Sequence, residues 1–100
     1  MNNILESHLP QIKALCQQHH VKTLFAFGSI VSGKFSKSSD IDLLISFHPM
    51  EYGDYADNYF EIAEKLEEVF KRPVDLLTEK SLKNPYFIKS VNNSKKLLYG

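Results

Sequence analysis

The stretch FAFGSIVSGKFSKSSDIDLLISF, residues 25–47, carries a Gly-Ser pair, Gly28-Ser29, separated by ten residues from an Asp-x-Asp, Asp40 and Asp42. The run Thr23–Phe27 before it is short and nearly all apolar, the pattern of a strand buried on both faces of a sheet. The chain is then expected to turn at Gly28-Ser29 into a brief helix that Gly33 stops, and to cross a Ser- and Lys-rich loop. A second strand follows at Ile41–Phe47. A glycine where a strand passes into a helix lets a phosphate approach the backbone, and the free N–H groups at the helix start favour an anion. Ser29 would add a hydroxyl to that cradle. Side chains alternate along a strand, so Asp40 and Asp42 are expected on one side, where two carboxylates held together call for a cation.

Outward from this stretch, helical and strand patterns alternate. Leu5, Leu9, Ile12 and Leu15 recur at helical spacing, and Pro10, tolerated only in a first turn, sets a main helix over about residues 9–19 with helical structure upstream. Tyr55, Tyr59, Ile62, Leu66, Val69 and Phe70 form the clearest helical stripe, ended by Arg72-Pro73. Val74–Thr78 reads as a third strand and carries Asp75. Asn84-Pro85 supplies an N-cap and a first-position proline for a helix through Tyr86, Phe87, Ile88 and Val91. Lys95–Tyr99 reads as a last short strand. The expectation is one α/β domain over residues 1–100, a small mixed β-sheet packed by helices, in a strand order that the sequence leaves open.

Composition narrows the function. Lysine plus arginine and aspartate plus glutamate balance at twelve each, and Arg72 is the only arginine, so the footprint of a non-specific nucleic-acid binder is absent. Cys16, the only cysteine, excludes an intrachain disulfide and a cysteine-rich metal site and fits a reducing cytoplasm. No apolar run approaches the roughly 20 residues that cross a bilayer, and the N-terminus has no signal-like core, so no membrane partner is expected. His19 and His20, adjacent at a helix end, diverge by about 100° and read as a solvated terminus, while His8 and His48 have no evident role. The aromatic group Tyr52, Tyr55, Tyr59 and Phe60 reads as core or as a contact with a partner or a second copy.

Asp40, Asp42 and Asp75 would form a three-carboxylate site for two Mg²⁺ ions, the arrangement that clamps an in-line nucleotidyl displacement, with Asp75 also helping to activate the attacking hydroxyl. Each piece alone has a plainer reading: strand-end carboxylates without metal, or Ser29 as a helix N-cap. Together they resemble the minimal nucleotidyltransferase family within the DNA polymerase β superfamily, from about Lys22 onward. The resemblance implies a triphosphate cradle at Gly28 and Ser29, catalytic metal ligands at Asp40, Asp42 and Asp75, Mg²⁺ as cofactor and ATP as substrate. It also implies a partner, because such domains serve as antitoxins of HEPN-domain ribonuclease toxins and transfer AMP to a toxin tyrosine. Many relatives have Gly-Ser-Arg-Ala-Arg-Gly where this chain has Ile30, Val31 and Ser32, so Lys34 and Lys37 are the cations left to meet phosphate. A binding module that neutralises its partner by contact alone is the rival reading. Transfer to a small molecule would require a homo-oligomer to complete the acceptor pocket.

Overall fold

The computed structural model describes residues 3–33 and 39–100. Helix α1 (Asn3–Ser7) leads into α2 (Leu9–Gln18), whose first turn contains Pro10, where the missing N–H would have had no helical partner. Ile12 and Cys16, one turn apart, are the residues α2 buries. Strand β1 spans Val21–Phe27, two residues longer at its start than the apolar run suggested, with an irregular register between Val21 and Thr23. The four-residue helix α3 (Ser29–Ser32) and β2 (Ile41–Phe47) follow. Helix α4 covers Tyr52–Phe70 and ends where Lys71 turns left-handed (φ 56°) and donates its N–H to the Glu67 carbonyl at 2.8 Å.

Strand β3 (Val74–Thr78) runs parallel to β2, so α4 is the crossover that a parallel pair requires. A 3-10 turn at Glu79–Ser81 precedes α5 (Pro85–Ser94) and β4 (Lys96–Tyr99), which pairs antiparallel with β1. Asn84 caps α5 as its residue type dictates, its Oδ1 accepting the N–H groups of Tyr86 (2.9 Å) and Phe87 (3.2 Å). Among the described residues the sheet has four strands in the order β3-β2-β1-β4.

Alternation along the strands divides the core in two. Leu24 and Ala26 of β1, Leu43 and Ile45 of β2 and Leu76 of β3 face the main cluster, where α2 and α4 contribute Ile12, Cys16, Ile62 and Leu66. Phe27, Leu44 and Leu77 face the other way and meet Val91 of α5 in a smaller cluster. Asp42 and Asp75, two residues from Leu44 and Leu77, share that second face.

His19 departs from the solvated terminus expected of it. It is 7% exposed, its Nδ1–H donates to the Leu15 carbonyl at 2.9 Å, Asn58 donates to its own carbonyl, and Nε2 lies 3.6 Å from Glu61. The long α4 covers the end of α2 and removes it from water. His8, without a role in the sequence, meets Phe70 edge to face, with ring centroids 5.6 Å apart. Tyr55 and Tyr59 are packed as the helical stripe indicated, against Phe47 and the main core respectively, and Phe60 stays exposed.

Candidate active site

The site begins with a backbone conformation. Gly28 has φ 78° and ψ −148°, a region open almost only to glycine, and it is the N-cap of α3, its carbonyl accepting the N–H groups of Val31 and Ser32 at 3.1 Å each. Ser29 is therefore the first helical residue and not the cap, and its carbonyl accepts from the Ser32 hydroxyl at 3.3 Å. Gly28 is needed for space as well as for φ: a Cβ there would stand 2.3 Å from Asp42 Oδ2. The bare glycine lets the Asp42 carboxylate lie against the turn between β1 and α3.

Sheet pairing fixes the neighbours of Asp42. Its Cα is opposite Phe27 of β1 on one side and Asp75 of β3 on the other. Burial pushes the Asp42 carboxyl above its ordinary value, and the charges of Asp75 and then Asp40 push it further. Asp75 is exposed at the cleft, and Asp40, one residue before β2, is exposed as well. Asp40 adds its charge to the group from the segment that enters the strand. That entrance is held by two bonds, from Ile41 N–H to the Pro73 carbonyl (3.1 Å) and from Arg72 Nη1 to the Ser39 carbonyl (3.3 Å). The chain's single arginine thus orders the backbone beside the acidic group.

Among the described residues no three of His, Cys, Asp or Glu are drawn together closely enough to hold a metal ion by themselves. An oxygen-only set with like charges pressing on one another still suits Mg²⁺, which binds through one or two carboxylates, water and substrate phosphates and seldom in an all-protein cage. Asp42, whose ionisation the protein disfavours, is where a cation would relieve most. Lys34 and Lys37, read as phosphate-facing cations, lie outside the described residues.

Asp42 and Asp75 open onto a cleft of about 260 Å³ between the sheet and α5, lined also by Gly28, Phe87, Ser90 and Ser94 among others. The three α5 residues were not among the sequence candidates. Their spacing placed them on one helix face, but nothing local told that face from an ordinary core stripe. Tyr59 was likewise read as core, and its hydroxyl donates to the Leu76 carbonyl, bracing β3 next to Asp75. Burial, Asp75 and Tyr55, in that order, push the Tyr59 hydroxyl above its usual value, so it remains a donor.

Residues 10–98 match the nucleotidyltransferase domain. The chain belongs to that family. A Methanocaldococcus jannaschii protein, provisionally named a protein adenylyltransferase, is 36% identical over 91 residues, 91% of this chain and 87% of its own. A solved structure described as a provisional minimal nucleotidyltransferase superposes with a TM-score of 0.77 at 26% identity, covering 96% of this chain and 95% of that one. The fold recurs in a structure of a tri-AMPylated Shewanella oneidensis HEPN toxin in complex with MNT antitoxin, where one chain matches at TM-score 0.64 and 20% identity, over 96% of this chain and 72% of that one. As a nucleotidyltransferase, the chain is an enzyme whose small mixed sheet presents the acidic group at one end. Ile30, directly after Gly28-Ser29, is only 3% exposed and anchors α3 in the main core of this nucleotidyltransferase. Among the described residues no helix is long and apolar enough to cross a membrane.

Proposed function

We propose that this nucleotidyltransferase transfers AMP from ATP to a tyrosine hydroxyl of a partner HEPN-type toxin in the cytoplasm and so acts as its antitoxin. One observation carries the reading: the Asp42 carboxylate is seated against the glycine that opens α3, in register with Asp75, so that an anion cradle and an acidic pair adjoin. The AMPylated toxin bound to the related antitoxin supplies the acceptor class.

In this reading Gly28 and the first N–H groups of α3 receive the phosphates, with the Ser29 hydroxyl beside them, and Lys34 is the cation that the family resemblance leaves for them. Mg²⁺ held by Asp40, Asp42 and Asp75, as one or two ions, would neutralise phosphate charge there. The toxin hydroxyl oxygen bonds to the α-phosphorus, the bond from that phosphorus to the bridging oxygen breaks, and pyrophosphate leaves. The hydroxyl proton passes to a carboxylate, for which Asp75, exposed and lining the cleft, is the best placed. The small cleft leaves the acceptor to a second protein, whose docking would also exclude water.

A second reading, neutralisation by contact alone, is favoured by the uncharged run Ile30, Val31 and Ser32 directly after Gly28-Ser29, which leaves the start of α3 without an arginine. Intact-mass spectrometry separates the two. With toxin, ATP and Mg²⁺ the wild-type chain should add AMP to a toxin tyrosine, and the Asp40→Asn/Asp42→Asn double variant should not. An unmodified toxin that the double variant still inhibits fully would decide for contact alone.

A further inference from the structure

Phe87 is an apolar ring that folding leaves 41% exposed in the wall of the cleft that also holds Gly28, Asp42 and Asp75. It is nevertheless well anchored. Its N–H is tied to the Asn84 cap at 3.2 Å, and its ring meets Phe27 at 77° with centroids 6.0 Å apart. Phe27 is in turn the β1 partner of Asp42. The cleft therefore has two carboxylates and an exposed aromatic ring in its walls. A nucleoside triphosphate carries the matching pair, charged phosphates and a flat base.

We propose that Phe87 is the platform on which the nucleobase stacks while the phosphates lie by Gly28 and Asp42, an inference that rests on the nucleotidyltransferase reading above. An exposed ring held by its neighbours gives stacking area at little cost in conformational entropy. Every base has a π face, so such a platform favours nucleotides over bare polyphosphate without choosing among bases. Phe87 therefore raises ATP and GTP affinity alike, and the base preference is set by other groups.

The test uses the full chain with Mg²⁺ and calorimetric titration of ATP, GTP and inorganic tripolyphosphate. Phe87→Leu keeps a side chain against Phe27 and removes the ring. It should weaken ATP and GTP by the same factor, about tenfold, and leave tripolyphosphate affinity unchanged. Unchanged ATP affinity in this variant, or an equal loss for ATP and tripolyphosphate, overturns the platform and leaves the nucleotidyltransferase reading standing. A wild-type chain that binds none of the three ligands overturns both. The protein contains no tryptophan, so Phe87→Trp installs a unique fluorophore and keeps an aromatic face. Its emission should change on adding Mg²⁺-ATP and not on adding Mg²⁺-tripolyphosphate; identical responses also overturn the platform, whether or not Phe87→Leu folds.

Discussion

At the scale of the residue, Asp42 carries a charge that folding disfavours and that the proposed function requires. It is partly buried, pressed against Gly28 and flanked by the charges of Asp75 and Asp40, so its carboxyl is pushed above its ordinary value. A group whose folded pKa exceeds its unfolded one binds its proton more tightly in the folded state. The ionised form therefore costs stability at neutral pH, and the cost disappears as pH falls through the folded value into the acid range. In metal-free protein Asp42→Asn should accordingly keep the fold and raise the urea midpoint at pH 7. That advantage should shrink below the ordinary carboxylate range, while AMP transfer with Mg²⁺ is abolished. Urea titrations of both proteins at pH 7 and pH 3.5 check this, and a lower midpoint for Asp42→Asn at pH 7 would refute it.

At the scale of the element, α5 is the cleft wall, and its start depends on one side chain. Asn84 Oδ1 takes two N–H groups that the helix cannot satisfy internally, one of them Phe87's. Asn84→Ala should lower stability by about 1 kcal/mol, whereas Asn84→Asp, which keeps an acceptor, should lose much less. Equilibrium urea unfolding of the three proteins gives the comparison, and equal midpoints for Asn84→Ala and the parent would show the cap to be idle. Strand β2 shows the opposite dependence. Its ends at Ile41 and Phe47 matched the apolar pattern, because a central strand buried on both faces is specified by its own side chains.

At the scale of the whole molecule, the main core can be read through Cys16. The thiol is fully buried between α2 and the sheet, and burial pushes its pKa up to about 12. At pH 8 the native protein should therefore react with a thiol reagent only by opening. Removing apolar volume from the same core with Leu66→Ala, a loss of about 2–5 kcal/mol, should speed that reaction strongly. The rate of colour release from an aromatic disulfide reagent measures it; immediate reaction of the wild-type thiol would contradict the burial.

The sequence by itself determined the elements and the chemistry they carry. The apolar runs of Thr23–Phe27, Ile41–Phe47 and Val74–Thr78, the stripe of α4 and the Asn84-Pro85 start are local signals, because hydrophobic pattern and capping act within a few residues. The pairing of Gly28-Ser29 with Asp40, Asp42 and Asp75 was legible as residue types at a spacing. Only the tertiary structure decided the strand order, since pairing β1 with both β2 and β4 joins residues far apart in the chain. It also decided that Gly28, not Ser29, caps α3, because that cap depends on where the Asp42 carboxylate lies. His19 was misjudged for the same reason: its exposure is set by α4, about forty residues on. Phe87 became a cleft residue only when α5 settled over β1 to β3, because a helix face records that it is apolar but not what it will meet.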